Sequence, residues 1–335
     1  MRDDIVQAIK VEALRLGFSA CGFAKAEPVD DEVAQAIDRW TAMGYHADMG
    51  YMERNRDLRF DPTLLVPGCR TLIVTALNYH PKQPLPKEGY QIAYYAYGKD
   101  YHWVVKDKLH QLLAYIKTLV PEVEGRAFCD TAPLLERYWA VKAGLGFIGR
   151  NRQLIIPGKG SYFFLGVLAI GASLLSPQGG MIPTSLPSSP PLGEDLGGVC
   201  LPPWGDKRGA SCLSCNRCLK ACPTGALTLE GIDCRRCLSY LTIEHRETIP
   251  DEMGKKIGKR IYGCDVCQQV CPHNNNACPT EEESFELPPE VAALSTDDWN
   301  NLTKEQYKQL FKKSAIERAG YEGLKRNIEF VKENK

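Results

Sequence analysis

The spacing of apolar positions alternates along the first half of the chain between a helical and an extended rhythm. Ile5, Ile9, Ala13 and Leu16 recur at helical intervals and predict a helix over residues 4–17. Thr71 to Leu77 is a short, largely apolar run after Pro67-Gly68, which predicts a buried strand. Leu109, Leu112, Leu113 and Ile116 mark one face of a helix over 104–119. Arg126 to Asp130 predicts a short strand, followed by a helix from Pro133 to Ala143. Leu154 to Ile156, the turn Pro157 to Gly160, and Tyr162 to Ile170 predict a hairpin. Intermixed strands and helices of this kind predict an α+β or α/β layered domain over residues 1–175.

Beyond it the pattern changes. Residues 176–210 carry Pro, Gly and Ser with little periodicity, which predicts a linker or insert, with Cys200 inside it and not a metal ligand. Residues 211–280 are cysteine-rich. Residues 281–335 return to helical spacing, with Trp299, Leu302, Tyr307, Leu310 and Phe311 as candidate core.

Charge sharpens the picture only by exclusion. Lys plus Arg and Asp plus Glu both total 41, so any surface for a polyanion must be a local patch. The first ten residues are acidic where a secretion signal needs basic ones, and no apolar run reaches the roughly 18 residues of a membrane span. A cytoplasmic protein with no membrane partner is expected.

The cysteines change the picture more. Of 14, eleven fall between Cys200 and Cys278, whereas Cys21, Cys69 and Cys129 sit singly among apolar neighbours as core residues. A reducing compartment rules out a disulfide framework, so the dense group calls for metal. Cys212-x2-Cys215-x2-Cys218-x3-Cys222-Pro223 has the spacing of bacterial two-cluster ferredoxins, in which the fourth thiolate serves the other cluster. A shorter run follows, Cys264-x2-Cys267-x3-Cys271-Pro272. One [4Fe–4S] cluster is therefore expected on Cys212, Cys215, Cys218 and Cys271. A second is expected on Cys222, Cys264, Cys267 and one further thiolate, for which Cys234 and Cys237 compete. Paired Cys-x2-Cys motifs also build zinc ribbons, but the continuous four-cysteine run favours clusters. A large domain ahead of them implies that electrons are delivered to something bound there.

Gly144, Gly146 and Gly149 satisfy G-x-G-x-x-G, yet no strand leads into them, so a dinucleotide loop is rejected.

Five longer stretches carry a resemblance. Asp130-Thr-Ala-Pro-Leu-Leu-Glu-Arg137, Lys142 to Asn151, Gly160 to Gly166, Cys237-Leu-Ser-Tyr-Leu-Thr-Ile-Glu244 and Tyr262 to Asn274 resemble the epoxyqueuosine reductases, in the same order, from the first helix to Asn327. That family reduces the epoxide of epoxyqueuosine in tRNA to queuosine, using cobalamin and two [4Fe–4S] clusters, and its cobalamin domain is related to that of reductive dehalogenases. The resemblance implies Cys237 as the eighth cluster ligand, with Cys234 a free thiol beside it. It implies Asp130 as the proton donor, although the residue read alone could cap the helix after it. Corrin contacts are implied for Arg59, Tyr101, His102, Lys142, Gly149, Asn151, Leu154 and Leu165, with close backbone approach to the corrin as the reason for the glycines. Asp100-Tyr-His102 begins a lower-ligand motif, but Val105 replaces its glycine, so base-off cobalamin is expected. The implied partners are tRNA carrying epoxyqueuosine and a low-potential electron donor, and the chain is expected to act as a monomer. Longer members continue into a HEAT-like repeat, of which Ala315 to Asn327 would be a remnant.

The composition leaves two other readings, a cytoplasmic dehalogenase and an electron-transfer protein. For a tRNA surface, Lys255-Lys256, Lys259-Arg260, Arg235-Arg236 and Lys325-Arg326 are candidate phosphate contacts, with Tyr240 or Tyr262 as stacking partners. A working acid needs a raised pKa, which Asp130 is expected to gain from burial.

Overall fold

The computed structural model describes residues 2–175, 212 and 214–334, so the segment expected as an insert lies outside the described residues. Four strands, β1 (Ala20–Lys25), β2 (Thr71–Asn78), β3 (Gly125–Phe128) and β4 (Phe163–Ile170), form an antiparallel sheet in the order β1-β2-β4-β3. Both faces are covered, which is why β2 and β4 are apolar at nearly every position rather than at alternate ones. Ile73, Leu77, Leu168 and Ile170 point to one face, beneath helices α1 (Arg2–Arg15) and α3 (Tyr101–Leu119). Leu72, Val74, Ala76, Leu165, Val167 and Ala169 point to the other. There they meet Val33 of α2 (Asp31–Ala42) and Tyr138, Trp139 and Ala140 of α4 (Glu136–Lys142). Gly166 lets α3 approach β4: a Cβ there would lie 2.8 Å from Val105 and 3.0 Å from Leu109.

Two local expectations are corrected. Leu154–Ile155 does not pair with Phe163–Ile170 but with Phe147–Ile148, and only the bridge Ile156–Gly160 remains of the expected hairpin. An eight-residue strand buried on both faces takes a neighbour on each edge, here β2 and β3. The helix expected from Pro133 begins at Glu136, because residues 130–135 are consumed by tight turns, Leu134 N–H to Ala132 O and Glu136 N–H to Leu134 O.

The cysteine-rich stretch and the C-terminal helices pack onto the α1/α3 side. One continuous apolar cluster runs from Val6 and Leu109 through Leu241 and Tyr262 to Trp299 and Val331. The short strand Gln91–Ile92 pairs in parallel with Arg260–Tyr262. Helix α5 (Arg217–Ala221), after the first cysteine run, packs on α7 (Val266–Gln269), within the second, while α6 (Leu238–Ile243) follows Cys237. Helix α8 (Gly320–Glu333) is fixed by wholly buried Asn327, whose amide donates to Thr242 O and Ile261 O, each at 2.8 Å. Among the described residues no helix is long and apolar enough to cross a membrane.

Candidate functional site

Asp130 follows the last residues of β3, immediately after wholly buried Cys129. Its φ of +58° is the left-handed region, unusual for a residue other than glycine. The carboxylate accepts the Tyr101 hydroxyl at 2.5 Å on Oδ2. His102 Nε2 stands 3.6 Å from the same oxygen, and His102 Nδ1 lies 2.6 Å from Asp100 Oδ1. Asp100 also caps α3, accepting the His102 backbone N–H. One helix N-terminus thus sets three functional side chains, and the Tyr101 ring is itself held flat against Phe164 of β4, 4.1 Å between centroids. Lys106, one turn on, donates to Thr131 Oγ1 in the Asp130 loop. The Asp130 side chain keeps 63 % of its surface exposed, so the site is open on one side.

The electrostatics reverse the expected direction for Asp130. Burial of its surroundings favours the neutral acid, but the hydrogen bonds from His102 and Tyr101 more than offset it and hold the group below the usual carboxylate range. His102 loses solvation, yet the two carboxylates flanking it raise its pKa to about 9. Glu136 is pushed up to about 8, first by burial and then by the charge of Asp130. The neutral acid of the group is Glu136. Nor does Asp130 cap a helix: Leu135 precedes α4, and Glu136 accepts the Asp130 backbone N–H instead.

The thiols gather in two sets. Cys212, Cys215, Cys218 and Cys271 line one cavity of about 130 Å³, together with Arg150, Asn151 and Ile155. The Arg150 backbone N–H points at Cys212 Sγ, 3.4 Å away. Cys237 lies close enough to Cys222, Cys264 and Cys267 for their charges to interact. Burial disfavours the Cys222 thiolate, but amides of Leu227, Thr224 and Ala226 and the Thr224 hydroxyl outweigh it and lower its pKa. Cys234 interacts with Cys237 and, besides it, with Asp233, Arg137, Tyr51 and Tyr240. Among the described residues no three His, Cys, Asp or Glu groups converge tightly enough for a single metal ion.

The remaining candidates are dispersed. Only Tyr101 and His102 touch Asp130. Arg59 is buried, donates to Tyr51 O and Arg54 O, and leaves its Nε without a partner among the described residues. Tyr51 in turn feels the charge of Asp130. Lys142 pairs with Asp30 at 3.0 Å. Leu154 and Leu165 are core residues beneath α4. Gly146 and Gly149 make room for the protein's own Ile155, and Gly144, with φ +79°, ends α4, so internal packing already accounts for these glycines.

The surface candidates fare differently. Tyr262 is wholly buried and donates to Ala315 O, while Tyr240 is buried and bonded to Asp48, so neither can stack on a base. Arg326 is spent on the carbonyls of Leu241, His245 and Glu247. Exposed aromatics among the described residues include Tyr51, 41 % accessible, and Trp103, 72 % accessible and following His102 on the first turn of α3. Sequence reading passed over Trp103, together with Glu136 and Lys106. Trp103 was legible in principle, since it falls on the polar face of the Leu109–Ile116 helix.

Comparison with known proteins follows the same division. Residues 59–131 match the family described as epoxyqueuosine reductase QueG, DUF1730, and residues 211–274 match the 4Fe-4S double cluster binding domain. An epoxyqueuosine reductase of Leadbetterella byssophila is 41 % identical over 330 residues, covering 98 % of this chain and 99 % of its own length. The structure of an epoxyqueuosine reductase with an epoxyqueuosine-modified tRNA-Tyr stem loop matches with a TM-score of 0.80 at 27 % identity, over 99 % of this chain and 81 % of that one. The Bacillus subtilis enzyme, with its catalytic aspartate loop swung out of the active site, matches with a TM-score of 0.80 at 26 % identity, over 99 % and 82 %.

Proposed function

The chain belongs to the epoxyqueuosine reductase family, and we propose that it reduces the epoxide of epoxyqueuosine in a tRNA anticodon loop to the alkene of queuosine. The reaction breaks two C–O bonds, releases the oxygen as water, and consumes two electrons and two protons. The observation that carries the reading is the Asp130 carboxylate, exposed on one side and backed by Tyr101 and a charged His102 on the other.

The residues present suit the cofactors of this chemistry. Cys212, Cys215, Cys218 and Cys271 would hold one [4Fe–4S] cluster, and Cys222, Cys237, Cys264 and Cys267 the other. For cobalamin, the supporting observation is the buried Nε of Arg59, without a partner among the described residues and a donor suited to a corrin amide, on a side chain bonded to the carbonyl of Tyr51, whose phenol feels the charge of Asp130. Bound there, cobalamin would pass electrons received from the clusters to the epoxide carbon.

The protein's own part is proton delivery and positioning. Asp130 acts as a proton relay: ionised at rest, it takes up a proton from a neighbouring group and passes it to the epoxide oxygen, so that no free alkoxide has to form. Its carboxylate is reprotonated at the cost of His102, whose Nε2 is 3.6 Å away. Asp100 fixes the His102 ring through Nδ1, which leaves Nε2 facing Asp130. Tyr101 keeps the Asp130 carboxylate in one rotamer.

Trp103 and Lys106, next to His102 on α3, are the groups we assign to the RNA: an exposed indole for a base adjoining the modified nucleoside, and an ammonium for its phosphate. The test is anaerobic reconstitution with iron, sulfide and cobalamin, then reaction with epoxyqueuosine-containing tRNA and a low-potential reductant, read by nucleoside mass spectrometry. Cobalamin-dependent conversion to queuosine is expected. Absence of conversion by the fully loaded protein would overturn the assignment.

A further inference from the structure

Asp130 has a second carboxyl beside it whose role the reaction described so far leaves unused. Glu136 Oε1 accepts the Asp130 backbone N–H at 2.6 Å, across a loop of five residues. That bond closes the turn and holds Asp130 at φ +58°, a left-handed conformation unfavourable for a residue other than glycine. Glu136 opens α4, whose next residues Tyr138, Trp139 and Ala140 are buried against the sheet, so the clamp is anchored on a rigid element.

The two carboxyls have unequal support. Asp130 receives the Tyr101 hydroxyl and faces the His102 imidazolium, whereas among the described residues the one hydrogen bond at the Glu136 carboxyl comes from the Asp130 amide. Besides Asp130, the charged groups that bear on Glu136 are Arg137 of its own helix and His102 of α3. Two like charges this close in a partly buried site disfavour double ionisation, so one proton stays with the pair.

We propose that Glu136 is the positioning residue for Asp130, clamping its backbone in the left-handed conformation and sharing one proton with its carboxyl group. In the resting site the proton is on Glu136; the reactive form carries it on Asp130. With the proton of His102, the site then stores both protons that the reduction consumes, while the two electrons come from the external low-potential donor. The inference rests on the reading of Asp130 as the acid.

The test is infrared difference spectroscopy of the reconstituted protein during a pH titration, following the C=O band of protonated carboxyls. In the wild type a band is expected at pH 7 that disappears through about pH 8. The pH 7 band should be absent in Glu136→Gln. In Asp130→Asn the Glu136 titration should move down towards the ordinary carboxylate range, since the neighbouring charge is gone. A band at pH 7 that survives in Glu136→Gln, or a titration unmoved in Asp130→Asn, would overturn the shared proton.

The clamp is tested separately. Glu136→Ala should lower single-turnover reduction about 10²-fold with iron content unchanged. Glu136→Gln, which keeps an acceptor for the Asp130 N–H, should recover part of that rate and show an altered pH profile. Equal rates and profiles in Glu136→Ala and wild type would overturn the positioning role. Because the infrared readout needs no turnover, a wild type that converts no epoxide would count against the function reading alone.

Discussion

Tyr101 and Asp130 are joined by a 2.5 Å hydrogen bond that ties the first turn of α3 to the end of β3. The bond runs from the phenol to the carboxylate, and burial together with the charge of Asp130 keeps the phenol protonated. It stabilises the ionised form of Asp130, which is why burial alone does not make that residue a standing acid.

Replacing Asp130 by Asn keeps the shape of the side chain and removes the transferable proton. Turnover should fall by roughly 10²-fold or more, the usual contribution of a positioned acid. Iron and cobalamin contents should stay at wild-type levels. Nucleoside mass spectrometry gives the rate, and a near-normal rate would remove Asp130 from the mechanism.

His102 predicts an alkaline limb. Its folded pKa, about 9, lies above the ordinary 6.5, so its charge contributes stability in full below about 6.5 and loses it as pH rises through about 9. Turnover should decline through the same upper value. In His102→Asn the part of the alkaline decline that runs through about 9 should vanish, leaving the decline through about 8 set by Glu136, and the difference in thermal stability from wild type should shrink between pH 6.5 and 9. An unchanged alkaline limb in the variant would assign it to another group.

The two neighbouring cysteines should separate cleanly. Cys237→Ala removes a thiol that faces Cys222, Cys264 and Cys267, and about half of the bound iron should be lost. Cys234→Ala should retain it. Iron and sulfide analysis after anaerobic reconstitution decides the matter, and equal losses in both variants would contradict the assignment.

Trp103→Ala should weaken binding of an epoxyqueuosine-containing stem loop by about 1–3 kcal/mol, the range for one base stacked on an aromatic ring. Trp103→Phe should restore most of it. The indole projects into solvent, so folding and iron content should not change. Equal affinity of the alanine variant and wild type would place the RNA elsewhere.

Some errors in reading the sequence share a cause. Tyr262 and Arg326 have the composition of a nucleic-acid surface, yet one is core and the other binds backbone carbonyls. Polarity tells that a side chain needs a partner; it does not tell whether water, RNA or the protein's own backbone supplies it. The apolar run Tyr162 to Ile170 likewise announced a buried strand without naming its neighbours, because pairing depends on strands distant in sequence.

What the sequence determined by itself is whatever local spacing constrains. The cysteine runs, with their separations of two and three residues, carry the cluster chemistry because a cluster binds thiols at fixed reach along one loop. The helical and extended periods gave α1, α3, β2 and β3 within a few residues. The tertiary structure decided the protonation pattern around Asp130. Tyr101 and His102 arrive from 29 and 28 residues away, and their distances of 2.5 and 3.6 Å hold Asp130 low, while burial and the charge of Asp130 raise Glu136. Electrostatic energy depends on separation and solvation, and neither exists until the chain has folded.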